Sequence, residues 1–338
     1  MIWLTWRQFR TQALIGLAVV AAVVAVYVST RGPLLALSRD MGYTGCTAGC
    51  DQFASQFVQA VQTQYFGSLL KVATIVTVLL PLLVGLFWGA PMVARELETG
   101  THRLVWNQTV SRSRWLTVKL AAGVLASAVM AGLVTWAITA WASPIDRAGG
   151  WMAPETFTTR GLVPIGYAVF GFVAGVTVGM LMRRTVAAMA VTLVVVALGL
   201  FGAIALRPHL VTPTTYQAPL TAEMIGGIGL HMSDPDRDIR IEPEEPVRGA
   251  WILSNTVLTQ TGSAYHGPYD PAKCGPDAPG QGPQGCKQWL ASQNLKQKVI
   301  YLGAERFWAL QWRELGVFLV VSALLASFCF WWIRRRVA

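Results

Sequence analysis

The chain has 338 residues, of which 54% are hydrophobic and 13% are charged, and its 27 Lys and Arg residues outnumber its 17 Asp and Glu residues, for a net charge of +10. Soluble proteins usually carry about 25% charged residues, so this composition excludes an ordinary soluble domain. The positive charge by itself leaves a nucleic acid, an acidic partner and a membrane surface open as binding partners.

Six apolar stretches are long enough to cross a bilayer. A spanning helix needs roughly 20 apolar residues, because each backbone amide must be paired within the helix where there is no water. The six stretches lie at about residues 12–30, 70–90, 116–141, 161–182, 185–206 and 314–333. The first is followed by residues 30–33, Thr-Arg-Gly-Pro, which offer no signal-peptide cleavage pattern, so we expect it to stay as a helix.

Basic residues concentrate on one side of the membrane when the N-terminus is placed inside. The inner segments are then 1–11, 90–119, 183–184 and 334–338. These segments carry 12 Arg and Lys residues against two acidic ones, which leaves 15 basic and 15 acidic residues in the rest of the chain. The positive-inside rule therefore predicts that both termini are cytoplasmic. This asymmetry accounts for the net charge, so no nucleic-acid partner is expected.

The residues before the first span show a helical spacing of large apolar side chains. Ile2, Trp3, Trp6 and Phe9 recur three or four residues apart, with arginines between them. The pattern is typical of a short interfacial elbow helix on the inner leaflet. A plain cytoplasmic extension of the first span fits the same pattern equally well.

The segment between the fifth and sixth spans, residues 207–313, is too long to be a plain connector. We expect a small extracellular domain of mixed structure there. Residues 250–261 are rich enough in β-branched side chains for one or two strands, and residues 286–302 resemble an amphipathic helix. The glycines at 226–229 are interpreted as flexible turns.

The predicted fold class is therefore an all-α polytopic membrane protein with six transmembrane helices, both termini inside, and a small mixed extracellular domain between helices five and six. Three parts are expected along the chain. Residues 1–206 form the elbow helix and spans one to five with a cytoplasmic loop at 90–115, residues 207–313 form the extracellular insertion, and residues 314–338 form span six and the tail.

Four of the five cysteines face outward in this topology, where an oxidising environment favours disulfides. We predict the local pairs Cys46–Cys50 and Cys274–Cys286, although four cysteines allow three pairings. Zinc at Cys46 and Cys50 is the alternative, but no His ligand lies nearby, so no metal is expected.

The sequence lacks the motifs of several enzymes and carriers. No G-x-x-x-x-G-K-[ST] pattern occurs, so the chain has no P-loop for ATP hydrolysis. Neither H-E-x-x-H nor G-x-S-x-G occurs, and the four histidines are scattered. The centres of the spans nearly lack ionisable side chains, which argues against an ion-coupled carrier. The energy for any transport must therefore come from another protein.

The fourth span carries glycines at a spacing of four residues. Gly171, Gly175 and Gly179 lie along one face of that helix, where they permit the close approach of another backbone. This face fits either packing within the chain or an interface between subunits.

The inner segment 90–119 predicts a helical hairpin that projects from the membrane. Arg95 to Glu98 are expected to end a helix that extends from the second span, and Gly100 is expected to supply a left-handed reversal. Residues 101–108 are predicted to form a second short helix, and Thr109 or Ser111 to cap the third span. A docking surface would need a loop of this length, whereas a simple connection would not.

The same segment carries a family resemblance. Its pattern R-E-x-E-x-G-T-H-R, followed by W-N-Q-x-V-S-R-x-R-W and Lys119, resembles the loop between the second and third spans of ABC-2 type transporter permeases, especially those of actinobacteria. The predicted span number, elbow helix, orientation and outer insertion agree with that family over essentially the whole chain.

The resemblance implies a permease without an ATPase domain. Such a permease pairs with a second permease, either a copy or a related chain, and docks two separate ATP-binding subunits. ATP and Mg²⁺ would bind to those subunits, so no cofactor and no enzymatic activity are expected on this chain. Membrane lipids are further expected partners, with Arg112 and Arg114 near anionic headgroups.

Carried over onto this sequence, the resemblance implies an element that couples the permease to the ATPase. It would consist of Glu96, Glu98, Gly100, Thr101, His102 and Arg103. The alternative is that these residues are only solvated charges.

The predicted function is a permease of the plasma membrane that exports an amphipathic or hydrophobic compound, such as a drug, natural product, lipid or peptide. The competing hypothesis is a membrane-anchored sensor or assembly factor that acts through its extracellular domain.

Overall fold

The computed structural model of the chain describes residues 2–101, 111–232, 237–243, 249–267 and 282–335, together with Val247, Asp270 and Lys273. The described α-helices, in chain order, are α1 (Ile2–Asp40), α2 (Asp51–Thr63), α3 (Tyr65–Leu83), α4 (Ala90–Glu98), α5 (Arg112–Gly149), α6 (Pro154–Thr159), α7 (Val163–Met182), α8 (Thr185–Leu210), α9 (Gly282–Ser292) and α10 (Phe307–Arg335). The described strands are β1 (Thr214–Pro219), β2 (Ile225–Met232), β3 (Arg237–Pro243), β4 (Trp251–Leu258) and β5 (Lys296–Leu302). The structure is thus mostly helical, with a small amount of sheet.

Six of the described helical segments are long and apolar enough to cross a membrane. They are Arg10–Asp40, Tyr65–Glu98, Arg112–Gly149, Val163–Met182, Thr185–Leu210 and Ala304–Arg335. Each contains most or all of one apolar stretch, which confirms the prediction of six span-capable helices. The chain divides into two compact units, a membrane unit formed by residues 1–211 and 307–338 and an insertion unit formed by residues 212–306.

The first helix, α1, runs without a break from Ile2 to Asp40. The expected elbow is thus continuous with the first span, and its placement on the inner leaflet stays a prediction. Leu14, Ile15 and Leu17 are each about 60% exposed on this helix. Apolar side chains are stable at such positions in lipid rather than in water.

Helix α7 is the centre of the membrane unit. It is apolar on all sides, and nearly all of its residues from Val163 to Met180 are buried. Helices α3, α4, α5, α8 and α10 pack around it. A helix that is hydrophobic all round belongs in the interior of a bundle, so its composition explains its position.

The second span is interrupted between α3 and α4. Pro81 lies within α3, and the π-helical segment Val84–Gly89 follows it. Proline removes a backbone donor and crowds the preceding turn, and π-helical turns often occur at functional positions. The segment places Gly85 and Gly89 against the backbone of α7.

The insertion unit contains two antiparallel sheets among its described residues, one with the strand order β1-β5-β4 and the other formed by β2 and β3. Strand β4 confirms the strand prediction for residues 250–261. Leu220, Ile225, Val257, Leu290 and Leu295 are buried together in the core of this unit.

Two local predictions for the insertion unit are wrong. The segment 286–302 does not form one helix. Helix α9 ends at Ser292, Asn294 adopts a left-handed conformation with a φ of +51°, and strand β5 follows. Strand β5 pairs on both sides, with β1 and β4, and buries Val299 and Leu302. The glycines at 226–229 lie within β2 rather than in turns. Strand pairing overrides the local preference in both segments, with the distant strands β1 and β4 in the case of β5 and with the next strand, β3, in the case of β2.

The structure contains the predicted disulfide between Cys46 and Cys50. Cys286 is also disulfide-bonded. Cys274, the other half of the second predicted pair, lies outside the described residues. Cys329 is a free thiol and is buried in α10.

The disulfide of Cys46 and Cys50 provides a test of orientation. In a variant with Cys274→Ser and Cys286→Ser, reduction should make Cys46 and Cys50 reactive towards a membrane-impermeant maleimide in whole cells, because the charge asymmetry predicts that they face outward. Labelling is measured by mass spectrometry, and unreduced cells and the buried Cys329 serve as internal controls. Labelling that requires permeabilised cells would reverse the predicted orientation.

Candidate functional site

Helix α4 carries the first of the predicted coupling residues. Its buried face consists of Ala90, Val93 and Ala94, and the helix packs against α7 and α8. The backbone N–H of Thr99 closes the last turn, and Gly100 follows with a φ of +73°. This confirms the predicted left-handed reversal, a conformation that glycine adopts without a steric penalty.

Glu96 joins α4 to α5. The Lys119 ammonium donates to Glu96 Oε1 at 2.6 Å and to the carbonyl oxygen of Met92 at 3.0 Å. The same ammonium lies 4.8 Å from the centroid of the Trp115 ring. The two side chains of the ion pair are only 6% and 13% exposed. Separating the two partners of such a buried pair would cost free energy, because each charge would lose its partner. The pair therefore holds α4 and α5 together at this point.

Glu98 joins α4 to α8. Its Oε2 accepts hydrogen bonds from the backbone N–H of Thr185 at 2.9 Å and from the Thr185 hydroxyl at 2.6 Å. Thr185 is the first residue of α8, whose N-terminal N–H groups have no partner within the helix. A carboxylate at this position also interacts favourably with the helix dipole.

The glycines of α7 face the second span of the same chain. A Cβ added to Gly175 would lie 2.5 Å from the carbonyl oxygen of Gly85, and one added to Gly179 would lie 2.5 Å from that of Ala90. A Cβ on Gly171 would overlap the carbonyl oxygen of Pro81. The two backbones are therefore in direct contact, and side chains would separate them.

The remaining predicted coupling residues lie at or beyond the end of α4. Gly100 is partly exposed and Thr101 is exposed, and the Thr101 hydroxyl lies 3.1 Å from that of Thr99. His102 and Arg103 lie outside the described residues, as does the second short helix expected at 101–108.

The start of α5 and the end of α10 lie near the same end of the membrane unit, which we call the α4 end. Ser111 caps α5 by accepting a hydrogen bond from the backbone N–H of Arg114 at 3.3 Å, which confirms one of the two predicted caps. Arg334 Nε donates to the Ser113 hydroxyl at 3.2 Å. Five of the described helices, α4, α5, α7, α8 and α10, thus begin or end here.

A buried ionic network that the sequence did not predict lies at the opposite end of the membrane unit, which we call the α6 end. Arg207 Nε lies 3.1 Å and 3.0 Å from the two carboxylate oxygens of Glu314. Arg207 also donates to the hydroxyls of Tyr167 at 2.6 Å and Thr158 at 2.8 Å, and the Tyr167 hydroxyl donates to Glu314. Arg207 is 1% exposed and Glu314 is 0% exposed. The sequence signal that could have indicated this network is the position of single charged residues beside long apolar stretches. Burying such a charge costs free energy unless it is paired with an opposite charge.

A second buried ion pair lies at the α6 end. Arg160 Nε donates to Asp146 Oδ2 at 2.9 Å, and both side chains are 3% exposed. Gln311 fixes the adjoining turn, because its side-chain oxygen accepts from the backbone N–H groups of Leu162 and Val163. These bonds satisfy donors at the start of α7 that have no partner within the helix.

Comparison with known proteins gives one match. The family model described as ABC-2 membrane transporter related matches residues 17–207, which include α4 and nearly all of the first five span-capable helices. No curated protein and no solved structure matched the chain. The family match covers more than half of the chain, and the six apolar helices are those of a multi-pass membrane protein. The chain is therefore a transporter permease that belongs to the ABC-2 membrane transporter related family.

Proposed function

We propose that this chain is the permease subunit of an ATP-binding cassette exporter for an amphipathic or hydrophobic compound. A separate ATPase subunit, present in two copies, binds ATP and Mg²⁺ and hydrolyses the nucleotide, and a second permease completes the transporter. The observation that carries this proposal is that α4, which contains the first two residues of the predicted coupling element, Glu96 and Glu98, is fixed to three other helices. It contacts α5 through Glu96, α8 through Glu98 and α7 through glycine contacts.

These contacts support a mechanical role for α4. Protein interiors are close-packed, so a displacement of one element shifts its packed neighbours rather than being absorbed. A force applied beyond Gly100 would therefore reach the centre of the bundle through α7. The π-helical segment between α3 and α4 interrupts the regular hydrogen-bond ladder, which provides a place where the second span can change shape.

Purification from the native membrane tests the partnership. In a mild detergent, the tagged chain should retain an ATP-binding subunit that mass spectrometry identifies, and cross-linking should give two copies of that subunit per assembly. Recovery of the permease without any ATPase under these conditions would contradict the proposal.

Transport in inverted vesicles tests the direction and the energy source. Vesicles that contain the permease and its ATPase should accumulate a fluorescent amphipathic dye on addition of ATP. Accumulation should persist when the proton gradient is dissipated, since the span centres nearly lack the ionisable residues that ion coupling requires. Accumulation that follows the proton gradient at constant ATP would contradict the proposal.

Changing Glu98→Ala should lower ATP-dependent transport several-fold while leaving assembly with the ATPase intact. The change removes both hydrogen bonds to Thr185 and so loosens α4 from α8. Transport and ATP hydrolysis are measured on the same vesicles, and hydrolysis without transport is the expected signature. Glu98→Gln retains one acceptor oxygen, so its rate of ATP-dependent transport should lie between those of the wild type and Glu98→Ala.

The insertion unit favours one competing function. Residues 212–306 form a compact unit with their own buried core, as expected of a sensor or assembly factor that acts outside the membrane. That function predicts that changes at Glu98 and Gly100 leave activity unchanged, whereas deletion of residues 212–306 abolishes it. The proposed exporter function predicts instead a several-fold reduction of transport in the Glu98→Ala variant.

A further inference from the structure

A cavity of about 240 Å³ lies at the α6 end of the membrane unit. It is open to solvent on one side and is lined by α2, the N-terminal half of α3, the end of α5, and α6 with the residues that flank it. Val58, Leu70 and Ile145 give it apolar walls. The charge asymmetry predicts that this end of the unit faces outward, on the side to which an exporter delivers its substrate.

The buried ion pair of Asp146 and Arg160 forms part of the cavity wall. Arg160 uses Nε for Asp146 Oδ2 and Nη1 for the Thr159 hydroxyl, and the carboxylate uses Oδ2 alone. Among the described residues, Arg160 Nη2 and Asp146 Oδ1 have no hydrogen-bond partner. A donor and an acceptor of an almost fully buried pair are thus left for a molecule in the cavity.

A second pair of opposite charges lines the cavity nearer to solvent. Lys71 and Glu155 are exposed, and neither side chain forms an ion pair with another described residue. The cavity therefore carries two basic and two acidic side chains, with no net charge. A purely anionic ligand would meet two carboxylates, and a purely cationic ligand would meet two basic groups. Like-charge contacts of this kind reject a ligand.

We propose that this cavity binds a zwitterionic group, with an ammonium against Asp146 and Glu155 and a phosphate or carboxylate against Arg160 and Lys71. A zwitterion satisfies both signs of charge at once. The volume is below the range of about 300–1,000 Å³ that is typical of pockets for drug-sized ligands, so it suits a headgroup rather than a whole amphiphile. An attached apolar tail would lie along the outward face of α3, where Val72 and Ile75 are 47% and 56% exposed.

This inference names a substrate class for the proposed exporter, and it rests on the proposed function for the transport step alone. Binding is measured on the purified full-length chain in detergent, by native mass spectrometry. The probes are phosphatidylethanolamine and phosphatidylglycerol with identical acyl chains, the first zwitterionic and the second anionic. The expected result is about tenfold tighter binding of the zwitterionic lipid, the ratio that one charge-assisted hydrogen bond produces.

Exposed residues provide variants that leave the fold intact. Lys71→Gln and Glu155→Gln should each weaken binding of phosphatidylethanolamine by up to about fivefold, because charge pairs at exposed positions contribute about 1 kcal/mol or less. Arg147→Gln is the matched control for Lys71→Gln, because Arg147 is exposed on α5 beside Asp146 but does not line the cavity. Asp40→Asn is the matched acidic control, on an exposed residue of α1. Both controls should bind as the wild type does.

A competition experiment shows whether the zwitterionic ligand is a lipid or a soluble compound. O-phosphoethanolamine, which has no tail, should displace the lipid at similar concentrations if the ligand is a soluble compound, and only at far higher concentrations if the ligand is a lipid. Equal binding of the two lipids, or wild-type binding by both cavity variants, would overturn the proposal. Intact selective binding without ATP-dependent transport would instead count against the proposed exporter and not against this site.

Discussion

Changing Arg207→Met is expected to lower the free energy of unfolding by about 3–5 kcal/mol, the usual cost of leaving one half of a buried ion pair without its partner. Glu314 is 0% exposed and receives two of its hydrogen bonds from Arg207. The substitution also removes donors to the hydroxyls of Tyr167 and Thr158. The carboxylate would then be buried with the Tyr167 hydroxyl as its remaining neighbour in this network.

The measurement is thermal or denaturant unfolding of the purified chain in detergent. Arg313→Met is the matched control, since Arg313 is exposed on the same helix as Glu314 and its side chain donates one hydrogen bond, to the carbonyl oxygen of Leu210. Its expected cost is about 1 kcal/mol or less. A similar loss of stability in both variants would show that burial of the pair is not what matters.

The double variant Arg207→Met with Glu314→Leu separates the ion pair from the packing. Replacing both members of a buried pair by apolar residues of similar size is often close to neutral, so most of the lost stability should return. If the double variant is stable but transports poorly, the pair serves function rather than folding. This outcome is of interest because the pair joins the ends of α8 and α10, between which residues 212–306 are inserted.

The six spans could be predicted from sequence because their signal is local. A run of about 20 apolar residues is sufficient evidence for a spanning helix. The end of α4 and the start of α5 could be predicted for the same reason. Gly100 supplies the left-handed conformation that follows α4, and the Ser111 side chain accepts a hydrogen bond from the first turn of α5. Each of these elements is decided by residues within a few positions of one another.

The contacts that join the elements could not be predicted in the same way. Glu98 and Thr185 are 87 residues apart, and Arg207 and Glu314 are 107 residues apart. A single sequence shows that a charge lies near the end of a span, but not which other charge it meets. Strand β5 was missed for a related reason, because its two neighbouring strands come from distant segments while its own composition also suits a helix.

Two of the predicted coupling residues, Glu96 and Glu98, could be predicted only in part. Their position on α4 follows from the local pattern, whereas the bonds of Glu96 to Lys119 and of Glu98 to Thr185 depend on how α4 packs. The glycines of α7 could be recognised as a face for close approach, but two partners were possible. The structure shows one of them, the second span of the same chain.

Changing Gly175→Ala is expected to lower the free energy of unfolding by about 1–3 kcal/mol, the usual cost of an extra methyl group in a packed interior. The added Cβ would lie 2.5 Å from the carbonyl oxygen of Gly85, 2.8 Å from the backbone nitrogen of Ala90 and 3.0 Å from the Cα of Gly89. All three are backbone atoms, so no side-chain rotation can relieve the overlap. The second span and α7 must move apart.

Gly202→Ala is the matched control, because Gly202 lies within α8 and a Cβ there would meet no atom within 4 Å. Alanine is favoured over glycine in a helix by about 1 kcal/mol, so the same chemical change should raise stability here and lower it at Gly175. The opposite sign of the two effects distinguishes close backbone contact from helix propensity. Equal stability of the two variants in thermal unfolding would contradict the contact between α7 and the second span. Because α4 continues the second span beyond this contact, Gly175→Ala should also reduce ATP-dependent transport, and Gly202→Ala should not.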